Sequence, residues 1–356
     1  MRARHFNMTA RAWQQLRVNW RIPPTPALLA QRFVAGPLFS TLNWLQAAVT
    51  ARQRRETSLA GCIVILGYWR SGTTLLHHYL SLDKRFGFAS TYACMNPQHF
   101  VLTQAAALSR PPTLAHRPMD DLEISAASPQ EDEFALLALG ARSPYEALLA
   151  PSFLGPALRL ADPSDLDEIS CRHWCETFEY FLRGVSVAEG QRPLILKSPP
   201  HGYRVALLRR ILPEARFVLI VRSPMHVYES AVRMWRALFE MYSLVAIPPE
   251  EQTRLAVLED RPSFEAKLTS GLVGLPEDRL ALIRYESLTR NPLETLEALY
   301  DRLKLGGFET VRESVAASVR QRGDYSARNA LPPQIWRERL QTQWRSIFER
   351  YGYEAE

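Results

Sequence analysis

The chain has 356 residues, 47% of them hydrophobic, and a formal net charge of +6 at pH 7, enough for one large α/β domain with an N-terminal appendage. A basic balance suits an anionic nucleotide or a membrane face, and no long basic stripe is interleaved with aromatics, which argues against nucleic acid as a partner. Four scattered cysteines (Cys62, Cys94, Cys171, Cys175) exclude a disulfide framework, and the chain reads as a reduced, cytoplasmic protein.

Residues 1–58 read as two or three helices rich in Trp, Arg and Leu, broken at Pro23-Pro24 and Gly36-Pro37. The N-terminus lacks an apolar core with a cleavage site, so no secretory signal is expected. Phe33 to Ala51 runs nineteen residues without a charge, between Arg32 and the cluster Arg52-Arg54-Arg55. Its Ser, Thr, Asn and Gln make it too polar for a comfortable span. The readings that stay open are a helix packed on the domain and an interfacial amphipathic helix, with peripheral contact at the inner membrane face.

The first strand is expected at 62–66, and 108–130, rich in Pro and Asp, reads as a long loop or lid. A helix begins near Ser128, another follows Asp165 and ends before Gly190, and Pro248-Pro249 opens a third. Strands are expected at 193–197, 216–221 and 280–284. Strands alternating with helical patterns predict an α/β fold: a P-loop-type parallel sheet of about five strands with helices on both faces. Cys171, His173 and Cys175 share a helix without two further ligands in evidence, and no metal is expected there.

Residues 61–80, GCIVILGYWRSGTTLLHHYL, carry the strongest signal. An apolar run breaks at Gly67 into a short polar loop, and a helical pattern starts at Thr74. Strand, loop, helix is an anion cradle, with backbone N–H groups and a helix N-terminus aimed at phosphate. The nucleotide-binding pattern would demand a lysine after Gly72, but Thr73 stands there and Arg70 lies inside the loop. The other strand ends carry Lys197-Ser198, Arg222-Ser223 and Arg284 rather than the aspartate a kinase uses to hold magnesium. The donor would be neutralised by protein cations, with no essential metal.

Arg70-Ser71-Gly72-Thr73-Thr74 resembles the 5′-phosphosulfate loop of sulfotransferases that use 3′-phosphoadenosine-5′-phosphosulfate (PAPS). Leu196-Lys197-Ser198-Pro199 resembles the strand-end motif of their Golgi and bacterial branches, and Arg222-Ser223-Pro224 with Ser230 resembles the 3′-phosphate site. Arg284-Tyr285-Glu286-Ser287-Leu288 with Asn291-Pro292 is similar to a late bacterial element. Arg320-Gln321-Arg322-Gly323 only loosely matches a C-terminal nucleotide loop and reads as a solvated helix end. The resemblance covers roughly residues 60–350. It implies a sulfotransferase-like α/β domain over 59–356 beside a helical appendage over 1–58.

By that resemblance Arg70, Ser71, Gly72, Thr73 and Thr74 hold the phosphosulfate and Arg222 and Ser230 the 3′-phosphate. Lys197 stabilises charge on the departing bridging oxygen. The general base stays open among Glu133, Glu131 and His201. Ser128-Pro129-Gln130-Glu131 also reads as a capping box, which engages Glu131 and leaves Glu133 preferred. Glu286 and His77 and His78 read as structural. The implied activity is sulfuryl transfer from PAPS to an acceptor hydroxyl on a lipid, glycan or small metabolite. An atypical P-loop kinase and a non-catalytic nucleotide-binding module are the alternatives.

Overall fold

Short aliphatic runs, each stopped by a glycine or a charged residue, form the strands of a parallel sheet, and the helices between them supply the crossovers. The computed structural model describes residues 7–23, 26–116, 123–322 and 330–354. Strands Ile63–Leu66, Leu194–Lys197, Arg216–Val221 and Leu280–Arg284 lie within one residue of expectation, and the two-residue strand Gly87–Phe88 makes five. Their order across the sheet is 87–88, 194–197, 63–66, 216–221, 280–284, all parallel, as the α/β reading requires.

Register decides what the strand ends share. Ile65 lies opposite Lys197, Leu66 opposite Leu219, and Val221 opposite Arg284. The carboxyl ends of four strands therefore meet along one edge, where ligands of open parallel sheets bind. Beneath it, Ile65, Leu76, Val218, Ile220, Ile283 and Leu299 belong to one buried cluster.

The chain divides into two compact units. One comprises Met1–Leu59, Gly87–Arg192 and Trp235–Thr253, the other Ala60–Phe86, Pro193–Met234 and Arg254–Glu356. Within the first unit the N-terminal helices share polar contacts with the middle of the chain. Helix Gly36–Glu56 turns Gln46 and Arg54 inward. Gln46 donates to Pro97 O at 2.9 Å and accepts from Val101 N at 2.8 Å. Arg54 donates to Tyr180 O and its guanidinium lies 3.9 Å from the Tyr180 ring centroid. Gly184 leaves room for that guanidinium: a Cβ there would meet Nη2 at 2.6 Å.

Three local expectations change. Gly36-Pro37 does not break the helix, because Pro37 occupies its first turn, where no N–H is needed, and a wider π turn, Gln31–Ala35, leads into it. The helix expected near Ser128 starts at Glu133, since Ser90 bridges Pro129 and Gln130 N donates to Ala89 O, holding 128–130 extended. Ser128 thus caps no helix, and its Oγ accepts from Ser125 N at 2.9 Å. Within 108–130, Ala115–His116 pairs antiparallel with Glu123–Ile124, while 117–122 lie outside the described residues. Helices Glu168–Ala188 and Glu250–Leu272 appear where expected.

The turn after Lys197 is packed without slack. A Cβ on Gly202 would meet the Phe264 ring at 2.2 and 2.5 Å. Gly202→Ala should therefore destabilise the protein by roughly 1–3 kcal/mol, the usual range for overpacking. Urea unfolding would register this as a lower midpoint at unchanged slope, and an unchanged midpoint would contradict the packing.

Candidate active site

The loop from Gly67 to Thr74 depends on two glycines and one strained arginine. A Cβ at Gly67 would meet Ser71 Oγ at 2.5 Å, Ile220 O at 2.9 Å and Thr73 Cγ2 at 2.9 Å, so the loop can fold back over its own first residue only without one. Gly72 caps helix Thr73–Leu80 at φ 104, and a Cβ there would strike Tyr285 Cδ2 at 2.4 Å. Arg70 adopts φ 70, the left-handed region that a branched, bulky residue enters only when its surroundings hold it there.

Those surroundings are visible. Arg222 Nη1 donates to Arg70 O at 3.1 Å, and Arg70 Nε donates to Ser230 Oγ at 3.0 Å. The Arg222 guanidinium in turn lies 4.3 Å from the Tyr285 ring centroid. The loop arginine, the strand-end arginine and the helix serine expected at opposite ends of a nucleotide are thus joined in one network. Ser223 N donates to Glu286 Oε1 at 3.2 Å, and Tyr353 OH donates to Glu286 Oε2 at 2.7 Å. Glu286 is structural, as expected. Arg284 is turned away from the loop: it donates to Tyr351 O and covers the Tyr353 ring.

An anion suits this loop. Ser71 is buried and its Oγ has no hydrogen-bond partner. The first N–H groups of helix Thr73–Leu80 have no intrahelical acceptor. Lys197, 2% exposed, stands one strand away from Ile65, just before Ser198. His201 is fully buried, with Arg204 Nε 3.3 Å from its Nδ1. A guanidinium can only donate, so Nδ1 accepts and the ring proton sits on Nε2.

Glu131 and Glu133 belong to the other unit. Glu131 accepts a hydrogen bond from Tyr145 OH, while Glu133, fully buried, opens helix Glu133–Leu139. Glu131 is thus held by a phenol and not by capping. Arg320 pairs with Glu313, two turns back on the same helix Glu309–Arg322, at 2.7 Å, and Gly323 lies outside the described residues. Among the described residues no group of three or more His, Cys, Asp or Glu could hold a metal ion.

The sequence model of the Sulfotransferase family matches residues 62–309, which takes in the loop, Lys197, Arg222 and Ser230. The chain belongs to the sulfotransferase family. It is 32% identical over 320 residues to the omega-hydroxy-beta-dihydromenaquinone-9 sulfotransferase Stf3 of Mycobacterium bovis, and equally to that of Mycobacterium tuberculosis, covering 88% of this chain and 81% of each relative. Its fold is similar to the crystal structures of sulfotransferase STF1 from M. tuberculosis (TM-score 0.64, 17% identity, 92% and 90% of the two chains) and STF9 from Mycobacterium avium (TM-score 0.66, 15% identity, 99% of each). It is an enzyme of sulfuryl transfer to an acceptor hydroxyl.

Sequence reasoning missed one feature of this sulfotransferase. Tyr68, directly after Gly67, and Tyr203, six residues past Lys197, both donate to Asp260 Oδ2, Tyr68 at 2.8 Å. Phe264 meets both phenol rings edge-on. The loop and the lysine strand are thereby tied to the middle of helix Glu250–Leu272. The one local signal for it is the adjacent aromatic pair Tyr68-Trp69 after Gly67.

Burial pushes the Asp260 carboxyl from 3.8 up to about 6, against the opposing pull of the two phenols and Arg261. The native state then keeps a proton that the unfolded chain releases near pH 4. This group's contribution to stability therefore falls as pH rises from about 4 to about 6 and levels off above. Unfolding titrations at several pH values, compared with Asp260→Asn, should show a steeper fall in the wild type across that window. Parallel curves would refute the assignment.

Proposed function

We propose that this sulfotransferase takes PAPS as donor, bound along the strand-end edge, and an amphipathic hydroxylated acceptor. The observation that carries the reading is the network joining Arg70, Arg222 and Ser230 around the glycine loop. It offers cations and hydroxyls for two separate phosphate groups on one nucleotide. When bound, PAPS supplies a sulfuryl group whose transfer forms an S–O bond to the acceptor and breaks the S–O bond to the 5′-phosphate.

In this reading the protein's residues divide the work. Ser71 and the amides of Thr73 and Thr74 grip the phosphosulfate end, assisted by Arg70, while Arg222 and Ser230 take the 3′-phosphate. The Lys197 ammonium would offset the charge that grows on the departing oxygen. Glu133 takes the acceptor proton, since Tyr145 already engages Glu131 and Arg204 occupies the His201 lone pair. Among lipid, glycan and small metabolite, the hydroxylated dihydromenaquinone in the relatives' name favours the lipid. The reaction would run at the inner face of the cytoplasmic membrane. Thermal shift with 3′,5′-ADP against magnesium-ATP tests the donor: stabilisation by ATP alone would overturn it.

Lys197→Ala should lower turnover about a hundredfold or more while changing donor affinity little, because the ammonium acts on charge formed in the transition state. Steady-state kinetics with a sulfated product readout decides it. Unchanged turnover with a raised donor constant would leave Lys197 a binding residue only.

Arg222→Ala should weaken 3′,5′-ADP binding about tenfold or more, the worth of a charged hydrogen bond, and weaken adenosine-5′-phosphosulfate less, since that nucleotide lacks the 3′-phosphate. Calorimetry on both ligands measures the difference. Equal losses would mean that Arg222 acts only through Arg70.

A further inference from the structure

The first 55 residues hold nine arginines and neither a lysine nor an acidic residue, so the remainder of a chain with net charge +6 is net acidic. The positive charge is concentrated in the N-terminal part of the sequence. Helix Gly36–Glu56 and the turn Gln31–Ala35 before it are also built inside out. Their buried side chains include Gln46, Thr50 and Arg54, while Val34 (69%), Leu38 (55%), Trp44 (70%), Leu45 (44%) and Val49 (61%) are exposed. Val34, Leu38, Leu45 and Val49 recur at helical spacing on one side, opposite the polar seam that faces Pro97 and Tyr180.

Two hydroxyls on this stretch donate within the helix. Thr41, exposed, donates to Pro37 O at 3.0 Å, and Ser40 donates to Gly36 O at 2.8 Å. Hydroxyls bonded to the carbonyl four residues back can enter an apolar phase without losing water partners. Arg32 stands at one end of the stripe and Arg55 at the other, on stems long enough to keep their charge among head groups, while Arg52 pairs with Glu56 at 2.9 Å. Among the described residues no helix is long and apolar enough to cross a membrane. A second copy of the chain is a poor occupant, because a two-fold contact along the stripe would set Arg32 against Arg55, and Glu56 is already paired with Arg52.

We propose that the outer face of helix Gly36–Glu56 docks on an anionic lipid bilayer, lying in the interface with Leu38, Trp44, Leu45 and Val49 at the acyl boundary. This surface is independent of the donor site and of the transfer reading. Co-sedimentation of the full chain with phosphatidylcholine vesicles, with and without phosphatidylglycerol, tests it without any activity assay. The full chain should pellet with the anionic vesicles, and added salt or removal of phosphatidylglycerol should release much of it. Leu45→Glu with Val49→Glu, at exposed positions, should lower partition about tenfold or more with the thermal unfolding midpoint unchanged. Recovery of the full chain in the supernatant beside anionic vesicles would overturn the proposal, as would equal partition of the double variant. Light scattering that shows a dimer dissolved by the same pair of substitutions would assign the face to a second copy and overturn it too.

Discussion

A hydrogen bond from Arg222 to the carbonyl of Arg70 ties the end of a central strand to a loop that turns through a left-handed arginine, just before the amides of helix Thr73–Leu80. Tyr285 supports both sides of the arrangement. Its ring lies beneath the Arg222 guanidinium and fills the space that a side chain at Gly72 would need. The glycines, the strain and the aromatic ring are thus three expressions of one geometric demand.

The parallel sheet makes that demand possible. Parallel register brings Leu66, Lys197, Val221 and Arg284 to one edge, so cations distant in sequence become neighbours in order across the sheet. Each is then settled differently. Arg222 serves the loop and Arg284 the C-terminal segment, while Lys197 is buried within its turn. Buried cations are costly unless partners or an anion compensate them, which is why so many carbonyls and rings attend these side chains.

Much of this was readable in the sequence because it rests on short-range chemistry. The runs at 63–66, 194–197, 216–221 and 280–284 are apolar, β-branched and bounded, and the loop with its missing lysine, Lys197 and the Arg222–Ser230 spacing followed from residue types at fixed offsets. What was not readable depends on tertiary pairing. Ser128-Pro129-Gln130-Glu131 has the letters of a helix start, yet the bridge from Ser90 holds it extended and the phenol of Tyr145 takes Glu131. No local pattern announces that Gly36-Pro37 lies inside a continuous helix, or that Arg54 packs against Tyr180. The ties of Tyr68 and Tyr203 to Asp260 span 192 and 57 positions of chain respectively, beyond any motif.

The C-terminal segment closes the donor edge from outside. Tyr353 holds Glu286, Glu286 receives the amide of Ser223, and Arg284 is fastened to Tyr351. The turn after the central strand thus takes part of its support from a segment far later in the chain, relayed through one carboxylate.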